Sequence, residues 1–309
     1  MTTTALPTLT ARTPEDVLAA VPLVLGFLPV ESVVMLTFGA THTFHARLDL
    51  PITAEARREA AESLLGPAHR HRVRRVLFVM YAADSRVARA CGRVLVRRFR
   101  RGGIDVVDVL RSDGDRWFPV SLDGSEADGP GTRYDVTGHL FTAQAVAAGR
   151  VTLGSRDELA ATVAPDPDRV AAVADVLDTL GPPEDPATWL PALVETLVET
   201  SALPDPPTTA RLLVALAEPA GRDAAMHAMT RDGADLRLPL FSALVRAAPP
   251  PLLAPVASVL GFLAWLSGDG ALAWLALDRA AEGDPPCTLA QAVAEALDLA
   301  LPPDVWEGR

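Results

Sequence analysis

The chain has 309 residues, enough for two domains that each bury a core of their own. Hydrophobic residues make up 49% and charged residues 22%, which excludes general disorder. The formal net charge of −11 is unevenly shared. Residues 1–150 hold 19 Arg against 16 acids, a net of +3, and residues 151–309 hold 9 Arg against 23, a net of −14.

There is no Lys and no Asn, all 28 basic residues are Arg, and Ile52 and Ile104 are the only isoleucines. Lys, Asn and Ile have AT-rich codons, so a GC-rich genome explains the bias without any function. Two cysteines, Cys91 and Cys287, cannot build a disulfide framework or a four-thiolate zinc site. A reducing, cytoplasmic compartment is expected.

In chain order, Thr13 caps a helix with Pro14 at its first position and Glu15–Asp16 in its first turn. The expectation is an interruption at Pro22 and a stop near Gly26. Ser32–Phe38 reads as a buried strand, and Phe44–Leu50 alternates like a half-exposed one, with Gly39–Thr43 as a hairpin turn. A helix from Ala54 to about Leu65, a strand Val76–Tyr81 and a helix Ser85–Arg101 stopped by Gly102–Gly103 follow. Ile104–Leu110 and Trp117–Val120 are strands around the turn Ser112–Asp115, and Glu126–Gly131 is a polar loop. Strands separated by helices of this length predict an α/β domain with a largely parallel sheet.

From His139 onward the pattern is helical, at about 139–148, 155–163, 167–180, 187–202, 206–217, 220–229, 238–247, 252–267, 270–282 and 287–301. Pro- and Gly-bearing turns separate these helices, as in a bundle or solenoid. The predicted organisation is therefore an α/β domain over 1–150 and an all-helical domain over 151–309, with a linker near 148–154. Ala247–Gly268 carries no charge and is long enough to span a bilayer. Its prolines, Pro249, Pro250, Pro251 and Pro255, point instead to a buried helix, and no membrane is expected.

No reaction motif stands out. The six His (His42, His45, His69, His71, His139 and His227) show no metal-ligand spacing, so neither metal nor cofactor is expected. Asp105 and Asp108 stand an odd number of residues apart on a strand, which places them on opposite faces. Ligands of open α/β sheets collect beyond the carboxyl ends of the strands, which selects Tyr81, Asp84 and Arg111 as a candidate ligand site. Asp84 also reads as the cap of the helix starting at Ser85.

Residues 54–101 hold 13 Arg and 4 acids. Within the helix, Arg86, Arg89, Arg93, Arg97 and Arg100 recur at spacings of three and four, forming one stripe opposite Val87, Cys91, Val94 and Phe99. The stripe is either a solvated face or a surface for an anionic partner: nucleic acid, a phosphorylated ligand, or the acidic half of this or another copy. No aromatics interleave to stack bases, so a solvated face is the expected reading; among partners a protein, including a second copy, is preferred and nucleic acid is not.

Near the C-terminus, Leu260–Gly261, Gly268–Asp269, Ala273, Ala280 and Asp284–Pro285 stand in the offsets of one tetratricopeptide helix pair. Gly221–Met229 reads as a degraded second copy. The stretches Pro14–Pro22, Leu25–Val34, Arg47–Pro51, Arg116–Trp117, Thr142–Gly149, Ser155–Arg156, Gly268–Trp274 and Pro303–Gly308 together resemble an uncharacterised bacterial family, domain of unknown function 4192. The resemblance spans essentially the whole chain and implies no activity, so it brings no catalytic residue with it. The expected function is an interaction or regulatory protein binding a protein partner or small anionic ligand. The alternatives are an enzyme at the strand edge and a nucleic-acid binder using the Arg stripe.

Overall fold

The computed structural model describes residues 10–40, 44–121, 130–148, 151–181 and 185–306. Residues 41–43 of the expected hairpin turn with His42, most of the loop Glu126–Gly131, Gly149 and Gly308 lie outside the described residues. The chain divides into two compact units, Met1–Arg156 and Asp157–Arg309.

The first unit opens with α1, Pro14–Leu25. Thr13 and Asp16 bond reciprocally, with Asp16 N–H to Thr13 Oγ1 at 3.1 Å and Thr13 N–H to Asp16 Oδ2 at 3.0 Å. Two of the four donors that every helix start leaves over are thereby used. The expected interruption at Pro22 does not occur: the helix runs through it. Only one amide donor is lost there, and the ladder resumes when Gly26 N–H donates to Pro22 O at 2.8 Å, with Gly26 at φ 78° ending the helix.

The strands are β1 Ser32–Phe38, β2 His45–Asp49, β3 Arg75–Tyr81, β4 Asp105–Ser112, β5 Arg116–Pro119 and β6 Thr132–Arg133. They form one mixed sheet in the order β2-β1-β3-β4-β5-β6. Only β3 and β4 pair in parallel; the other four pairings are antiparallel. The expectation of a largely parallel sheet is corrected by this order. The helix α2, Ala54–Arg70, does connect two strands of like direction, β2 and β3. However, β1 stands between them and runs against both.

The helix α2 continues five residues past its expected end, through Gly66–Pro67, because Ala68 is fully buried in the sheet core and His71 N–H still reaches Pro67 O at 3.0 Å. The helix α3 spans Ser85–Arg101, as its pattern predicts. Together α2 and α3 cover one sheet face: Ala61, Leu64, Ala88, Cys91, Leu95 and Phe99 pack on Met35, Val76, Phe78, Met80 and Val109. The rings of Phe78 and Phe99 meet edge to face at 5.1 Å, an arrangement that adds roughly 0.5–1.5 kcal/mol to their burial. On the other face Val34, Leu36, Val79 and Leu110 are also buried.

A bulge alters β4. Val76 pairs with Val106 and Leu77 with Asp108, so Val107, 48% exposed, has no partner in register. Asp105 opposite Arg75 and Asp108 opposite Leu77 therefore face the same side, reversing the parity expected for an unbroken strand.

The unit closes with α4, Leu140–Ala147, whose Phe141 and Ala145 pack on Ala19 and Leu23 of α1. Beyond it, Leu153 is pinned to the end of α1: its N–H donates to Gly26 O at 2.9 Å and its carbonyl accepts from Leu28 N–H at 3.0 Å. Part of the expected linker is thus paired backbone.

From α5, Arg156–Ala161, every described element is helical: α6 Pro167–Leu177, α7 Pro186–Thr200, α8 Pro206–Ala217, α9 Pro219–His227, α10 Arg231–Ala247, α11 Pro250–Ser267, α12 Gly270–Ala281 and α13 Thr288–Asp298, then a 3-10 turn Pro303–Val305. The helix α10 starts seven residues before its expected position at 238. Gly233 leaves room there for Arg237, which is 9% exposed, donates to Gly233 O at 2.8 Å and pairs with Glu195. Among the described residues, α11 is the one helix long and apolar enough to cross a membrane, and 78% of it is buried within the protein. The helices α11 and α12 run antiparallel at close range. A Cβ on Gly261 would sit 3.3 Å from Leu277 Cδ2, and one on Gly283 would sit 2.6 Å from Ala254 N.

Candidate functional site

Two places in the α/β unit collect chemistry: the carboxyl ends of β3 and β4, and the outer face of α3.

Tyr81 ends β3 and pairs in register with Ser32 of β1 and Ser112 of β4. It is 7% exposed, and its hydroxyl has no hydrogen-bond partner among the described residues. Burial first, then the neighbouring Tyr134, push its pKa well above 10, so it stays a neutral phenol. Arg111 is 5% exposed and held in place: Nη1 donates to Ala82 O at 3.1 Å, and the guanidinium stacks on the Phe118 ring at 3.8 Å. The same ring lies close to Gly131, where a Cβ would stand 2.4 Å from Phe118 Cε1.

The register separates these residues. Arg111 pairs with Met80, which faces α2 and α3, whereas Tyr81 pairs with Ser112 on the opposite face. Phenol and guanidinium therefore do not converge. Asp84 caps α3 by accepting from Arg86 N–H at 2.8 Å, and this bond holds its carboxyl below the usual range. An anion bound at a helix start would occupy that place, and here the chain's own carboxylate fills it.

One row crosses all six strands on the Tyr81 face: Asp49, Ser32, Tyr81, Ser112, Trp117 and Thr132. Ser112 Oγ and Tyr134 OH lie 2.7 Å apart, Ser112 Oγ also accepts from Gly114 N–H at 3.0 Å, and Trp117 Nε1–H donates to Glu15 Oε1 at 2.8 Å. His139 Nε2 lies 3.1 Å from Asp16 Oδ1. Backbone bonds from Arg12 first, then from Thr13, and the His139 contact hold the Asp16 carboxyl below its ordinary value.

Ser112, His139 and Asp16 are the residue types of nucleophilic catalysis, but the arrangement is a clamp. His139 Nδ1 accepts from Phe141 N–H at 3.2 Å while Nε2 faces Asp16. Both ring nitrogens are committed, so no lone pair is left to take a proton from Ser112. Among the described residues no group of three or more His, Cys, Asp or Glu is placed to hold a metal ion.

The face of α3 is a different kind of surface. Arg86, Arg93, Arg97 and Arg100 are exposed and Arg89 is half-buried, opposite the buried Cys91, Leu95 and Phe99. Arg86 pairs with Asp84 at 3.6 Å, and the flanking Arg98 with Glu62 at 3.2 Å. Arg89, Arg93, Arg97 and Arg100 have no acidic partner among the described residues. The ends of α2 and α3 meet where His69 Nε2 approaches Gly102 O at 2.8 Å, and exposed Arg70, Arg72, Arg74, Arg75 and Arg101 flank that junction in sequence. The negative poles of two helix dipoles, about half a charge each, offset only a fraction of this.

A family model described as Domain of unknown function (DUF4192) matches residues 14–304. The chain belongs to this family. No curated protein and no solved structure matches it. Two contacts tie stretches of this DUF4192 chain that the sequence leaves far apart: Glu15 to Trp117, 102 residues away, and Asp16 to His139, 123 away. Glu15 and Asp16 read in sequence as first-turn acids only. The tryptophan beside Arg116 was the available signal, since a half-buried indole N–H calls for an acceptor.

Proposed function

We propose that this DUF4192 chain is an interaction or regulatory protein of the cytoplasm whose α/β unit binds an acidic protein partner along α3. The supporting observation is the row Arg89, Arg93, Arg97 and Arg100, which lies on one side of the helix without acidic partners among the described residues. The runner-up, an enzyme at the strand edge, has less support because Tyr81 and Arg111 face opposite ways. A small anionic ligand at the start of α3 would compete with Asp84.

Nucleic acid is the lesser candidate. Phosphate-only binding weakens by roughly a thousandfold or more between low and physiological salt when several Arg participate. We also propose that the two units fold as separate domains, and that α11–α12 is a single tetratricopeptide-like hairpin with Gly221–Met229 as a degraded second copy. The supporting feature for the hairpin is the close approach at Gly261 and Gly283.

The test is a titration of labelled polyglutamate, duplex DNA and structured RNA against wild type and the variant Arg89→Glu, Arg93→Glu, Arg97→Glu. Polyglutamate should bind wild type and be lost by the variant, whose folding changes by less than about 1 kcal/mol because Arg93 and Arg97 are exposed and Arg89 is only half-buried. Equal binding by both proteins would remove α3 from the argument. Submicromolar nucleic-acid binding that the variant loses would put nucleic acid first.

A further inference from the structure

We propose that the partner of the α3 arginines is the α6 helix of a second copy of this chain. The inference rests on the reading of α3 as an interface and adds the identity of what it meets.

Asp168 and Asp175 of α6 and Asp178 at its C-cap are exposed and have no ion pair among the described residues. At about 100° per residue they fall within one arc of roughly 80°, opposite the buried Val173. The arginines of α3 occupy an arc of similar width. The spacing also matches: Arg93 to Arg100 and Asp168 to Asp175 each span two turns, about 10.5 Å along the axis. Two straight rows of opposite charge can lie side by side, with Arg93 and Arg100 each facing a carboxylate.

The elements also differ in a way that suits pairing between copies. The α3 row is set in residues 54–101, net +9, and the α6 row in the half of net −14. Each copy thus carries one surface of each sign. A contact between α3 of one copy and α6 of another can recur head to tail, close into a ring, or occur twice about a two-fold axis. Exposed ion pairs are individually weak, so association is expected to be weak at low salt and to weaken at least about tenfold further by a few hundred millimolar salt.

The experiment is sedimentation of the full chain over a concentration series at low and high salt, with two charge-reversed variants. One carries Arg93→Glu, Arg97→Glu and Arg100→Glu; the other carries Asp168→Arg, Asp175→Arg and Asp178→Arg. Wild type should associate at low salt, each variant alone should be monomeric, and an equimolar mixture of the two should associate again. Circular dichroism verifies folding, and Arg→Gln and Asp→Asn versions of the same triples replace any variant that fails to fold. Those neutral versions should also lose association. A wild type that is monomeric at every salt, a variant that associates alone, or a mixture that stays monomeric would overturn the proposal. Polyglutamate binding separates the two readings. If a monomeric wild type binds it and the α3 variant does not, the α3 interface stands with another acidic partner; if neither binds it, both readings fall.

Discussion

Helices α3 and α11 have nearly the same length, 17 and 18 residues, and use their surfaces in opposite ways. On α3, Ala88, Cys91, Leu95 and Phe99 face the sheet while arginines fill the other side. On α11, thirteen residues from Leu253 to Leu266 are buried around the full circumference and none is charged. The first helix shows its inward apolar face and its outward basic face by period alone. The second has no direction in its sequence, because a helix apolar on every side is positioned only by its neighbours α10, α12 and α13. A functional hypothesis can therefore be built on α3, and a stability hypothesis on α11.

The largest expected effect tests the role of α11. Leu263→Ala, at a fully buried site, should lower stability by about 2–5 kcal/mol, read as a drop in denaturant midpoint. A loss below about 1 kcal/mol would mean that α11 is not the core helix of its unit. Two glycine changes sharpen the contrast. Gly283→Ala drives a Cβ against the α11 backbone at Ala254 N and should cost about 1–3 kcal/mol. Gly92→Ala on α3 comes closest to Met80 Cε, at 3.1 Å, the tip of a flexible side chain, with Val109 and Val120 at ordinary contact, and gains up to about 1 kcal/mol of helix propensity. It should melt at or above the wild-type temperature.

The α/β unit should also carry a pH response. Burial lowers His45 from 6.5 to about 4, and its Nδ1 accepts from Thr37 N–H at 3.4 Å. The unfolded chain takes up this proton first as pH falls. The stabilisation is thus complete above about pH 6.5 and drains away from there down to about 4. Replacing His45 with Gln should flatten that part of the stability curve; an unchanged slope would assign it to other groups. The smallest effect is Tyr81→Phe. Removing a buried hydroxyl without a partner among the described residues should raise stability by about 1 kcal/mol. A loss instead would show that the hydroxyl bonds to a water or ligand.

Local signals placed the helix ends well where a cap and a stop are both strong. Asp84 and Gly102 bracket α3, and Asp205 starts α8. They failed where a helix runs on through a proline, at Pro22, Pro67 and Pro239, because one missing donor is a small loss beside a buried face. Sheet order was not legible, since periodicity says that Ser32–Phe38 is buried but not which strands flank it. The unpaired Val107 has no signature in DVVDVLRS, and it reverses the faces of every residue before it. Of the candidate site, the Arg row was legible because it is local, whereas Glu15–Trp117 and Asp16–His139 required distant chain to be folded together.

The placement of β1 between β2 and β3 has a consequence for biosynthesis. As the chain leaves the ribosome, the β1–β2 hairpin can close at once, but the second edge of β1 stays open until residues 75–81 emerge with β3. During that interval a strand of sequence SVVMLTF presents unpaired amides and carbonyls, the exposure that invites pairing between nascent chains. Slowing translation across α2 would lengthen this period. Trimming the protein at its N-terminus past β1 would remove an interior strand of the sheet rather than an edge.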